Sequence, residues 1–128
     1  MSKEQITRIL YVEDEPDIQA VAKLALEQVG KFTLEVCSSG QEAVDKAAAF
    51  SPQLMLLDVM MPEMDGPTTL KKLREISGLE ATPAVFMTAR VQPHEVQEYI
   101  EMGAADVIAK PFDPMMLSNQ IREIWEKV

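Results

Sequence analysis

The sequence has 128 residues, 47% of them hydrophobic and 26% charged, with 12 Lys and Arg against 21 Asp and Glu for a formal net charge of −9. That length suits one domain of roughly 100–150 residues, and the apolar share fills a core and excludes a disordered chain. The acidic balance argues against direct contact with nucleic acid or an anionic membrane, since both select a basic face.

One cysteine, Cys37, excludes an internal disulfide and fits a reducing compartment, with packing as its expected role. Residues 1–7 are polar and lack the apolar run of a secretory leader. The longest apolar runs, such as residues 54–57, are far too short to span a bilayer. A cytoplasmic protein without membrane insertion is the simplest expectation.

The first apolar run, residues 9–12, predicts a strand. After Glu13, Asp14 and Glu15, Pro16 suits the first turn of a helix. Ile18, Val21, Ala22, Ala25 and Val29 recur at helical spacing, and Gly30 is a natural stop. Residues 33–37 alternate weakly and predict an edge strand. Ser39 and Glu42 form an S-x-x-E capping box that opens a second helix, with Ala43, Val44 and Ala47 on one face.

Pro52 resets the chain before residues 54–57, a continuous apolar run typical of a strand covered on both sides. Two prolines and Asp65-Gly66 mark residues 60–67 as a loop. A third helix follows with Leu70 and Leu73 inward and Gly78 at its end. Residues 84–87 predict a fourth strand, and a fourth helix runs from Pro93 past Val96, Tyr99 and Ile100 to Gly103. Residues 107–109 predict a short fifth strand. Asp113 and Pro114 supply an N-cap and first position for the last helix, with Leu117, Ile121, Ile124 and Val128 on its buried face.

Five β-α units with short connections predict an α/β fold, a parallel five-stranded sheet with helices on both faces. The flavodoxin-like strand order 2-1-3-4-5 is expected. Repeats, linkers and low-complexity tracts are absent, and a single domain over residues 1–128 with no output domain attached is the expected organisation.

Ligands of such sheets bind beyond the carboxyl ends of the strands. Glu13 and Asp14 fall at the end of the first strand, Asp58 of the third, Thr88 of the fourth and Lys110 of the fifth. Taken singly, each has an ordinary reading as a helix cap, turn residue, strand end or solvated lysine. Placed on one edge of one sheet, three acids, a hydroxyl and a lysine converge on one pocket. Crowded carboxylates call for a cation, and an all-oxygen donor set suits Mg²⁺. A carboxylate is also a nucleophile able to form an acyl phosphate, and a transferred phosphoryl group needs charge neutralisation on its oxygens more than acid–base chemistry.

The acidic pair within Tyr11-Val12-Glu13-Asp14-Glu15, the stretch from Leu56 through Asp58-Val59-Met60-Met61-Pro62-Glu63-Met64-Asp65-Gly66, Met87-Thr88-Ala89, and Lys110-Pro111-Phe112 together resemble the receiver domain of two-component response regulators. The resemblance covers essentially the whole chain. It implies Asp58 as phosphoacceptor and metal ligand, Asp14 as a direct Mg²⁺ ligand, Glu13 as a ligand through water, and the Met60 backbone carbonyl as the third protein ligand. Thr88 would contact the phosphoryl group and Lys110 would pair with it, beside a cis Lys110-Pro111 bond.

The resemblance further implies transfer from a phosphohistidine on a sensor histidine kinase or histidine phosphotransfer protein, catalysed together with later hydrolysis by the domain itself. It implies a switch read by a downstream protein through helix four, strand five and helix five. A stand-alone or excised regulator is expected. Relatives carry an aromatic or His three residues before the lysine, coupled to the threonine, and this chain departs from that pattern with Val107. Met60 and Arg90 flank the pocket and are candidates for setting phosphoryl lifetime.

The alternative from another class is a degenerate receiver that binds proteins without phosphorylation. A phosphatase with a nucleophilic Asp needs a second Asp two residues on, where Met60 stands. A flavin module needs a phosphate-binding first loop, and Glu13-Asp14-Glu15 would repel the phosphate.

Overall fold

Residues 9–12, 54–57 and 84–87 carry no charge, and strands of that kind are stable only with both faces covered. In the computed structural model, which describes residues 4–128, they form the middle of a parallel sheet. Five strands, β1 (Arg8–Val12), β2 (Thr33–Cys37), β3 (Leu54–Asp58), β4 (Ala84–Thr88) and β5 (Asp106–Ala109), are hydrogen-bonded in the order β2-β1-β3-β4-β5. The order and the edge position of β2 are as expected. The reading of residues 1–7 as lacking a leader falls partly on residues 1–3, which lie outside the described residues.

Five helices cover the sheet: α1 (Pro16–Lys23), α2 (Gly40–Phe50), α3 (Gly66–Arg74), α4 (Pro93–Glu101) and α5 (Leu117–Lys127). On one face Ile9, Tyr11, Leu56, Met87 and Ile108 pack with Ala22 and Leu26 and with Leu117, Ile121 and Ile124 of α5. On the other, Leu10, Val12, Leu57 and Phe86 pack with Ala43 and Ala47 of α2 and Leu70 and Leu73 of α3. Cys37 is fully buried in this second cluster, which accords with a packing role. None of the described helices is long and apolar enough to cross a membrane.

The helix starts follow their capping chemistry. Ser39 Oγ accepts the Glu42 amide at 3.1 Å, while the Glu42 carboxylate reaches back to the Ser38 amide at 2.6 Å, one residue before the partner of a standard capping box. Asp65 Oδ1 accepts the Thr68 amide at 2.9 Å, so α3 begins at Gly66, inside the stretch expected to be loop. Asp113 Oδ1 accepts the Met115 amide at 2.9 Å, yet α5 starts only at Leu117. The Asp113 carbonyl takes both the Met116 and the Leu117 amides at 3.0 Å, and a tight turn precedes the helix.

Three expected inward positions are exposed: Val21, Val29 and Val128. Leu24–Val29 is a π-helical continuation of α1, closed by the Gly30 amide on the Ala25 carbonyl at 3.1 Å. That wider turn rotates the apolar face, so Leu26 fills the core where Val29 was expected. Val128 stands beyond the last turn of α5.

Candidate functional site

The site lies where the chain leaves β1 for one side of the sheet and β3 for the other, the switch point at which parallel α/β sheets open a crevice. Side chains alternate along a strand, so Glu13 shares a face with Tyr11, Asp58 with Leu56 and Lys110 with Ile108. Glu13 and Asp58 are 0% and 2% exposed. The Lys110 ammonium bridges them, at 3.0 Å from Glu13 Oε1 and 3.0 Å from Asp58 Oδ1. The Lys110-Pro111 peptide is cis, as the resemblance implies.

Asp14 completes the cluster: one carboxylate oxygen each from Glu13, Asp14 and Asp58 lie within 4.8 Å of one another. At that separation or closer each like-charge pair repels by at least about 3.5 kcal/mol at an effective dielectric of ~20. One ammonium against three carboxylates leaves the ionised pocket two negative charges in excess, the charge a divalent cation cancels. Asp14 Oδ1 is buried and has no hydrogen-bond partner among the described residues. A buried acceptor of that kind is costly unless something binds it. The donor set fits Mg²⁺, with all-oxygen ligands and room left for water and phosphate oxygens.

Glu13 feels the crowding most. Burial pushes its carboxyl up to about 7, with the Asp58 charge adding to the rise and the hydrogen bond from Lys110 opposing it. Burial also works against the Lys110 charge, but Glu13 and Asp58 outweigh it and hold the ammonium above the ordinary lysine range. The resting pocket is therefore a partly neutralised ion cluster waiting for more positive charge.

Backbone bonds fix where these groups stand. The Glu13 amide donates to the Cys37 carbonyl at 3.0 Å, the Val59 amide to Met87 at 3.1 Å and the Lys110 amide to Thr88 at 2.9 Å, extending the sheet one residue past each strand. Behind Asp58, the Gly66 amide donates to the Val59 carbonyl at 2.9 Å. A Cβ on Gly66 would lie 2.6 Å from the Asp58 carbonyl oxygen and 2.9 Å from Val59 Cα. The Asp65-Gly66 pair, expected only as a turn signal, thus caps α3 and lets it press against the backbone of Asp58 and Val59.

Of the residues expected at the site, Glu13, Asp14, Asp58 and Lys110 come together in one cluster. Thr88, 2% exposed, ends the neighbouring strand, and its hydroxyl accepts the Arg90 amide at 3.0 Å. Met60, two residues past Asp58, is exposed, as is Arg90. Val107 is half-buried in β5 opposite Phe86, and the aromatic contact in this region comes from α4 instead: Tyr99 meets Phe86 edge-on, with ring centres 5.5 Å apart and planes at 73°. The residue missed from sequence is Gly66, for which the D-G pair was the available signal.

A five-stranded parallel sheet carrying a buried carboxylate cluster and a lysine at its switch point defines a receiver module. The family described as response regulator receiver domain matches residues 9–122, and this chain belongs to that family of two-component signalling proteins. The transcriptional regulatory protein SrrA of Staphylococcus aureus is 41% identical over 119 residues, which are 93% of this chain and 48% of that protein. The response regulator Rre1 of Synechocystis is 34% identical over 116 residues, 91% of this chain and 50% of Rre1. The chain spans about half the length of these curated relatives. Among solved structures, the chemotaxis protein CheY4 of Vibrio cholerae superposes with a TM-score of 0.85 at 28% identity, covering 94% of this chain and 99% of that one. A signal receiver domain of a histidine kinase from Syntrophus aciditrophicus gives 0.79 at 33% identity, covering 95% and 92%.

Proposed function

We propose that this receiver domain takes a phosphoryl group from a phosphohistidine onto the Asp58 carboxylate in an Mg²⁺-dependent reaction. The observation that carries the reading is the acceptor's setting: a buried carboxylate with an ammonium at 3.0 Å and two further carboxylates gathered beside it. Asp58 attacks phosphorus, an O–P bond forms, and the P–N bond to the donor imidazole breaks. Hydrolysis reverses the loading: water attacks phosphorus, the carboxylate is restored and inorganic phosphate leaves.

Glu13, Asp14, Asp58 and the Met60 carbonyl would hold the cation, which supplies charge neutralisation to the phosphoryl oxygens when bound. Lys110 is already within reach of the acceptor and would follow the charge onto the phosphoryl group. The Thr88 hydroxyl accepts from Arg90, which leaves its O–H to donate to a phosphoryl oxygen.

The output we infer is a change in protein contacts at the face of α4, β5 and α5. Helix α4 has no buried residue, and Ile100 and Met102 at its end are exposed, so its hold on the sheet is weak enough to shift. Contacts to the phosphoryl group would bias such an equilibrium rather than create a new state. The phosphodonor is a sensor histidine kinase or a histidine phosphotransfer protein, and the listener is a protein rather than nucleic acid.

Incubation with a histidine phosphotransfer protein carrying radiolabelled phosphohistidine tests this reading. The label is expected to pass to the wild-type chain in the presence of Mg²⁺ and not to Asp58→Asn, and to be lost in alkali as an acyl phosphate is. Equal labelling of Asp58→Asn would move the acceptor elsewhere.

A further inference from the structure

Directly beneath Glu13, Asp58 and Lys110 lies a layer made of Tyr11, Leu56 and Ile108, each two residues earlier in its strand and on the same face. Two of these are aliphatic, and Tyr11 brings the layer its one side-chain polar atom. Tyr11 is fully buried among Leu56, Met87, Ile108 and Leu117, with Phe112 packed against the same cluster. Its hydroxyl has no hydrogen-bond partner among the described residues. A phenylalanine would fill that space without burying an unpaired donor, which costs stability wherever it stays unpaired. The hydroxyl therefore calls for a partner in some other state of the pocket.

We propose that Tyr11 is a positioning residue of the acceptor pocket, whose hydroxyl donates to the Glu13 carboxylate once Lys110 has turned from Glu13 to the phosphoryl group. In the resting pocket Glu13 Oε1 is taken by Lys110 at 3.0 Å and Oε2 by the Glu15 amide at 3.2 Å. When Lys110 follows the incoming negative charge, Glu13 Oε1 loses its hydrogen-bond donor while the residue stays buried. Tyr11 is the buried donor on the same strand and the same face, one residue pair away. Burial, reinforced by the nearby Glu13 and Asp58 charges, pushes its phenol far above the ordinary range, so it remains a neutral donor throughout. The consequence is a second, phosphorylation-dependent hold on Glu13 that keeps this ligand oriented while the lysine is engaged elsewhere.

The inference rests on the phosphoacceptor reading, and its test separates the two. Tyr11→Phe and wild type are compared by thermal unfolding in the free state and by titration with beryllofluoride and Mg²⁺, a stable mimic of the phosphoryl group. The free variant is expected to unfold at the same temperature as wild type or a few degrees higher, because an unpaired buried donor has been removed. Its apparent affinity for beryllofluoride is expected to be about tenfold weaker, the size of one hydrogen bond to a charged group. A residue that served packing alone would show the reverse pattern, a lower unfolding temperature with unchanged affinity, and that result would overturn the assignment. Failure of the wild type itself to bind beryllofluoride would remove the phosphoacceptor reading and this inference together.

Discussion

Lys110→Ala is expected to unfold about 10 °C below wild type in metal-free solution and to recover much of the difference when Mg²⁺ is added. The ammonium is the partner of two buried carboxylates at 3.0 Å each, and its own side chain is only 17% exposed. Removing one member of a buried ion pair costs about 3–5 kcal/mol, because the remaining charge is left without compensation. The partial exposure argues for the lower end, about 3 kcal/mol, which for a chain of this size lowers the unfolding temperature by about 10 °C.

The pH dependence follows from the direction of the Glu13 shift. A carboxyl whose folded pKa is raised contributes full stability below its unfolded value and loses it as pH climbs toward the folded value. In the wild type that loss ends near the folded value of about 7. Without Lys110 the folded value moves higher still, so the deficit of the variant widens above about pH 7. The deficit shrinks with Mg²⁺ because a divalent cation supplies to Glu13, Asp14 and Asp58 the charge the lysine no longer does. Phosphorylation of the variant by a small phosphodonor is expected to slow by roughly a hundredfold, the usual cost of losing one preorganised charge-stabilising group. A variant that matched the wild type in unfolding temperature, with no response to Mg²⁺, would show that the cluster is not held by the electrostatics described.

The second large effect is expected from Gly66→Ala. The added methyl would meet the Asp58 carbonyl at 2.6 Å and Val59 Cα at 2.9 Å, backbone at the end of β3 and one residue past it, where the chain is still bonded to β4. Neither can turn aside as the tip of a long side chain would. Either α3 backs away from the sheet or β3 bends, at a cost of about 1–3 kcal/mol typical of an overpacked core. Both adjustments displace the acceptor from Lys110 and Asp14, so the rate of phosphorylation should fall together with stability. Gly78→Ala is the control. Gly78 has φ of +95° and nothing within 4 Å of its would-be Cβ, so alanine there is strained without touching the pocket. It should lose about 1 kcal/mol or somewhat more while keeping the wild-type rate. Equal rates for Gly66→Ala and wild type would mean that the α3 start does not position Asp58.

How much of this the sequence disclosed depends on how local each signal is. The central strands were readable because uninterrupted apolar runs such as residues 54–57 have few alternatives, and β2 was readable as an edge because its alternation is weak. Pro16 and Ser39 announced their helices through local backbone and capping chemistry. The strand order then gathered Glu13, Asp14, Asp58 and Lys110 without reference to any contact.

Several features turned on tertiary context. The π-helical turn at Leu24–Val29 rotates the apolar stripe, and a 3.6-residue period cannot register it, which is why Val29 faces outward. The delayed start of α5 depends on how the Asp113 carbonyl is shared between two amides. The raised Glu13 carboxyl and the unpaired Tyr11 hydroxyl are properties of burial and of neighbours from distant strands, and they appear only once the pocket is assembled.

The most direct test of the phosphoacceptor reading is intact-mass analysis after acetyl phosphate treatment, with and without Mg²⁺, on the wild type beside Asp58→Asn. The expected result is a single phosphoryl adduct on the wild type that requires Mg²⁺ and is absent from the variant. No adduct on the wild type, with phosphohistidine donors failing likewise, would contradict it and leave a receiver fold that works by protein contacts alone.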